Sequence, residues 1–191
     1  FPAFLKSTLQ FEDPPHHTKL RRLVQRAISP AAVKKMRDSA SAFADELLEA
    51  MSAKGNRANL VTEYALALPI QMLANLLGVP ADDHEKFERW ASSTLAVAGA
   101  APDDIARDMG ELHAYLTALI AARRIDPRED LISSLARAQD ADETLADEEI
   151  LTIAMLLLVA GFDNTANFIT IGVSSLLHHP DQLAAFREDP A

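Results

Sequence analysis

The 191-residue sequence contains no cysteine. Neither a disulfide framework nor a thiolate metal site can therefore form within it. Glycine is scarce at six residues, and none is arranged as a phosphate-binding loop or around a nucleophilic serine. The six histidines show no His-Glu-x-x-His or other zinc spacing. Positive charge is in deficit: 18 Lys and Arg stand against 28 Asp and Glu, for a net charge of −10. That balance argues against general nucleic-acid affinity, which needs cationic excess to meet the phosphates. No basic-then-apolar leader opens the chain, so no signal peptide is expected. The remainder, 49% apolar and 24% charged, is the composition of a globular domain able to bury a core.

Strand-type alternation is nearly missing, and helical spacing dominates. Over 16–28, Leu20, Leu23, Val24, Ala27 and Ile28 share one face. After a Ser29-Pro30 break, 32–51 reads as a second amphipathic helix with Val33, Met36, Ala40, Phe43, Leu47 and Leu48 inward. The only plausible strand is short, around Asn59, Leu60 and Val61. A buried helix over 64–77 stops at Gly78-Val79-Pro80. Helices are also predicted over 82–97, 103–124 and 131–138, with a loop at 96–101 and a last helix capped by Asp181. The expected fold class is all-α, with at most that one strand near 59–61.

The stretch 150–171 organises the rest. It is apolar on every side for three turns, and then Gly161, Asp163, Asn164, Thr165 and Asn167 interrupt it. A helix that is hydrophobic all round is a buried one. Gly inside it costs roughly 1 kcal/mol against Ala, and Asp and Asn compete with the backbone for hydrogen bonds. A polar network satisfied within a core and a functional site both fit this cluster. A membrane span needs about 20 apolar residues. The polar cluster breaks the run, so a buried helix with no membrane contact is the expectation.

Residues 14–37 carry seven Lys or Arg and no acid, so this segment opposes the charge of the rest of the chain. Such asymmetry suggests a docking surface for an anionic partner, although a solvated face is the ordinary outcome of a charge run. His17 and Arg21, four apart on a helix, could together grip a carboxylate or a phosphate. A helix-turn-helix regulator fits poorly, because Ser29-Pro30 is a poor joint and its turn lacks glycine. The acidic run Asp103, Asp104 and Asp108 is reminiscent of isoprenoid synthases. Asp-Asp at a helix start more simply caps it and complements its dipole, and no second acidic motif faces it.

Both segments together resemble the cytochrome P450 family of soluble bacterial type. Glu12-Asp13-Pro14-Pro15-His16-His17-Thr18-Lys19-Leu20-Arg21 is similar to its C-helix signature, Asp-Pro-Pro-Glu-His-Thr-Arg-Leu-Arg. Ala160-Gly161-Phe162-Asp163-Asn164-Thr165 resembles its I-helix motif, Ala-Gly-x-Asp/Glu-Thr-Thr. Matching phrases occur in order between and after them: Leu77-Gly78-Val79-Pro80, then Arg123-Arg124 with Asp130-Leu131, then His179-Pro180-Asp181.

The resemblance implies the helical core of that fold, from roughly its C to its J helix, and haem b as cofactor. His17 and Arg21 would bind a haem propionate. Ala160 and Gly161 would face oxygen and haem, with Leu156 and Val159 as substrate contacts. Asp163 would pass protons inward, and Asn164 would orient dioxygen or its water. A ferredoxin-type electron donor would dock on Lys19, Arg22, Arg26, Lys34 and Lys35, with NAD(P)H acting only through redox partners. The expected substrate is a small apolar molecule, the expected location is cytoplasmic, and neither nucleic acid nor membrane is an expected partner. The small-residue stretch 92–102 reads as a lid over the substrate or as an ordinary loop.

Two departures stand out. Asn164 occupies a position usually held by Thr, and a carboxamide relays protons less readily than a hydroxyl. No Glu-x-x-Arg and no cysteine occur, so no metal ligand lies in this chain. Residues 1–191 are accordingly expected to be a partial, internal P450 domain, without the N-terminal sheet or the C-terminal haem-cysteine region, and inactive alone. The competing expectation is a haem-free helical ligand-binding protein or regulator without catalysis.

Overall fold

A computed structural model describes Leu9 and residues 11–28, 30–94, 101–140 and 143–189. Ser29, most of the expected lid and the side chain of Lys35 lie outside the described residues. Eight α-helices are present among those described: α1 (His16–Ala27), α2 (Pro30–Ala53), α3 (Ala67–Leu77), α4 (His84–Thr94), α5 (Pro102–Ile125), α6 (Leu131–Arg137), α7 (Asp147–His178) and α8 (Pro180–Glu188). The all-α expectation holds, and α7 occupies the centre, packed by α3, α5 and α6 and continued by α8.

The strand expected near 59–61 is absent, for a local reason. Asn59 Oδ1 accepts hydrogen bonds from the Val61 and Thr62 amides at 3.1 and 3.3 Å. Glu63 returns the bond to the Asn59 amide at 3.2 Å. This reciprocal cap starts a single π-helical turn (Val61–Ala65) that runs into α3. The only strands among the described residues are β1 (Gln139–Asp140) and β2 (Glu143–Thr144), an antiparallel ribbon between α6 and α7. Two residues per strand are too few for alternation to register in a sequence.

The core forms where helical stripes converge. Leu112, Leu116 and Ile120 of α5 repeat every four residues and meet Ile70 and Leu77 of α3, Ile132 and Leu135 of α6, and Ile150, Ala154 and Leu158 of α7. Leu20 and Leu23 dock α1 on the same cluster, as their spacing predicts. In α2, Met36, Ala40, Phe43 and Leu47 are half-buried, but Val33 and Leu48 are exposed, contrary to expectation. This helix lies at the periphery, against α3 and the π-turn, so it covers a narrower stripe. Pro180, not Asp181, opens α8, and Asp181 sits in its first turn without capping it.

Polar locks fix the ends of these helices. Gly78 terminates α3 in left-handed conformation (φ 80°), and the Asp130 side chain occupies the space a Cβ would need there. Asp130 in turn pairs with buried Arg123 at 2.5 Å, and Arg123 donates to the Gly78 carbonyl at 2.7 Å. Arg124 beside it donates to the carbonyls of Ala136 and Leu145 at 2.6 and 2.5 Å and to Asp147 at 2.9 Å. One guanidinium thus ties the ends of α5 and α6 to the first turn of α7. Between α4 and α5, Ser93 donates to buried Asp108 at 2.5 Å and Trp90 donates to Glu111 at 2.8 Å. The Ser93 bond is the main reason the Asp108 carboxyl is held below the usual carboxylate range.

Candidate functional site

Helix α7 divides its residues by angle as well as by length. Leu151, Met155, Leu158, Phe162 and Ala166 are buried, and they recur every three or four residues along one side. On the other side, Leu156 and Val159 are half-buried, whereas Ala160, Asp163, Asn164 and Asn167 are exposed. By length and composition α7 could cross a membrane, but its N-terminal half is enclosed by the other helices.

The polar residues of this open side are tied into the helix that carries them. Asn164 Nδ2 donates to the Ala160 carbonyl at 3.3 Å, and Thr165 Oγ1 donates to the Gly161 carbonyl at 2.7 Å. Both carbonyls precede the donor by four residues, so each side chain lies against its own helix. A carbonyl cannot accept from Oδ1, so the carboxamide oxygen of Asn164 is the end left for another donor. Asp163 has no hydrogen bond or ion pair among the described residues.

Gly161 lies against α3. A Cβ built there would meet Leu73 Cδ2 of α3 at 3.3 Å. Its small size therefore admits a neighbouring helix, and its missing side chain does not point into the open side beside Ala160. Sequence reasoning missed Leu73, because no local pattern reports which residue of a distant helix meets a glycine.

Helix α1 lies at the head of this site. Leu20, from α1, and Thr152 and Ile153, from α7, line a crevice between the two helices. One turn away, His17 is half-buried and Arg21 exposed, and neither side chain has a partner among the described residues. Lys19 and Arg22 line an open depression with Pro14, Pro15 and Thr18. Arg26 and Lys34 are exposed. A second contact went unforeseen: His16 Nε2 lies 3.5 Å from Glu149 Oε1, in the first turn of α7. The available signal was His16 itself, an imidazole where the resembled signature carries a carboxylate.

Comparison with known proteins agrees with this arrangement. The family model described as Cytochrome P450 matches residues 99–189. The vitamin D(3) 25-hydroxylase of Pseudonocardia autotrophica is 41% identical over the whole chain, which covers 47% of that protein. Cytochrome P450 monooxygenase PikC of Streptomyces venezuelae is 41% identical over 98% of the chain and 45% of its own length. A solved structure of a mutant mixed-function P450 MycG with mycinamicin IV superposes with a TM-score of 0.94 at 35% identity. That match covers all of this chain and 48% of the MycG chain. The C-helix-like and I-helix-like segments fall within one contiguous match, and the chain spans about half the length of the curated relatives it matches. The chain belongs to the bacterial cytochrome P450 family.

Proposed function

We propose that the complete protein is a haem-dependent monooxygenase that oxidises a small apolar organic molecule. The observation that carries this reading is the two-sided α7. One side is core, and the other is an open stripe where Leu156 and Val159 adjoin Ala160, Asp163 and Asn164.

The residues present suit haem b. His17 and Arg21, an imidazole and a guanidinium on one helix face without partners among the described residues, are the chemistry a propionate needs. The iron ligand would come from residues outside this chain, which has no cysteine. When bound, haem supplies dioxygen activation and one-electron chemistry that no side chain offers. Leu156 and Val159 would hold the apolar substrate and exclude water. Ala160 leaves space beside them. Asp163, exposed at the border of solvent and groove, would carry protons inward. Asn164, with its nitrogen committed to the Ala160 carbonyl, would present its oxygen to a bound water or substrate hydroxyl.

Electrons would arrive from a ferredoxin-type protein on the cationic face of Lys19, Arg22, Arg26, Lys34 and Lys35, fed indirectly by NAD(P)H. Relatives named for hydroxylation of vitamin D(3) and of mycinamicin IV support hydroxylation of an organic molecule, and the expected location remains cytoplasmic. The test is spectroscopic. The complete protein with haem is expected to give the thiolate-type carbon monoxide spectrum, and this chain alone is not. A thiolate-type spectrum from the 191 residues alone, or none from the complete protein, would overturn the assignment. In the complete enzyme, Asn164→Thr is expected to raise the fraction of electrons that reach product. Unchanged coupling would remove Asn164 from the proton path.

A further inference from the structure

We propose that His16 is a positioning residue: while protonated, it holds α1, and hence His17 and Arg21, against the start of α7 through Glu149. The inference rests on the haem-binding role proposed for those two residues, which would meet propionates and not iron.

Glu149 serves two elements at once. Its Oε2 accepts from the Ala146 amide at 2.6 Å, closing the N-terminus of α7, while its Oε1 faces His16 Nε2 at 3.5 Å. The second distance is long for a hydrogen bond, so the attraction depends on charge. Three carboxylates line the crevice in which His16 sits: Glu12 from the segment before α1, and Glu148 and Glu149 from α7. Among the described residues, His16 is the only one lining it that can carry positive charge. On its own helix, Lys19 is turned to the depression shared with Arg22. The other elements packed on α1, α6 and β1, contribute no residue to the crevice.

A protonated imidazole therefore neutralises part of a carboxylate cluster and draws α1 onto α7. A neutral one leaves Glu12, Glu148 and Glu149 lining the crevice with no cation beside them among the described residues. Because a helix moves as a rigid unit, a shift at His16 is passed to His17 beside it and to Arg21 one turn on. The signature that this segment resembles has Glu where His16 stands. In this crevice a fourth carboxylate would repel the other three.

The experiment is haem transfer from the complete protein to excess apomyoglobin, followed in the Soret band between about pH 5.5 and 8.5, the range in which imidazoles change charge. Release from the native protein is expected to quicken about threefold toward alkaline pH, the scale of a partly exposed ion pair. His16→Gln should abolish the slope and release at the fast rate throughout. Glu149→Gln should do the same, because glutamine still accepts from the Ala146 amide and keeps the cap. His16→Lys should be slow and flat, a rescue that a merely structural role would not give. A flat native profile, a native slope in His16→Gln, or an unrescued His16→Lys would overturn the proposal. Immediate loss of haem from every form at every pH would instead remove the haem-binding role of His17 and Arg21, and the proposal with it.

Discussion

Over residues 150–158, α7 is mostly buried among the core helices; over 163–178 it presents Phe168, Ile171 and Leu177 to solvent at 79%, 64% and 67% exposure. Composition does not separate the two halves, since both are rich in large apolar residues. What differs is the company each half keeps. Hydrophobic stabilisation scales with area removed from water, so identical residue types contribute in one half and not in the other. Phe168 and Ile171, three residues apart, are neighbours on one side of the helix, whereas Leu177 lies on another.

Mutations can sharpen or break that contrast. The largest effect is expected from Leu158→Ala, at fully buried Leu158, where a cavity should cost about 2–5 kcal/mol in denaturant unfolding of the complete protein. Gly161→Ala should follow at about 1–3 kcal/mol, because its methyl must displace Leu73 from a 3.3 Å contact. Loss of less than that would mean that α3 yields easily and that the two helices are not closely keyed. Glu149→Ala removes the side-chain partner of the Ala146 amide and should cost about 0.5–2 kcal/mol, with Glu149→Gln closer to native.

The smallest stability effect belongs to the open half. Phe168→Ser and Ile171→Ser in the 191-residue chain should change stability by no more than about 0.5 kcal/mol. They should nevertheless reduce self-association and binding of a hydrophobic dye, read by sedimentation and fluorescence. The same substitutions in the complete protein should cost more, if other parts of the protein cover that face. Equal small costs in both settings would end the contrast, and the open half would be an ordinary solvent surface.

Most helices were legible because each buries a stripe against several neighbours, as Leu20 and Leu23 do in α1, and such stripes leave a period in the sequence. Helix α2 was legible in existence but not in depth. Val33 and Leu48 have the right spacing, yet a peripheral helix meets too few partners to bury them. At Asn59 the error was chemical: an apolar pair after Asn reads as a strand, until the Asn side chain is seen capping the turn that follows. The polar cluster of α7 was visible as an anomaly in a buried helix. Which of its members face outward was not, because that depends on where distant elements pack, as Leu73 of α3 does at Gly161. The His16–Glu149 contact needed both ends of the chain in one frame.

The clamp made by Arg124 has a mechanical consequence. It grips the Asp147 side chain of α7 and the Leu145 carbonyl in the segment leading to it, at one end of a helix of 32 residues. Asn164 lies about 26 Å along the helix from that grip, and between the two points Leu158 and Phe162 are buried and Gly161 lies against Leu73 of α3. The course of α7 is thus set twice, by an arginine of α5 at its first turn and by a leucine of α3 about four turns on.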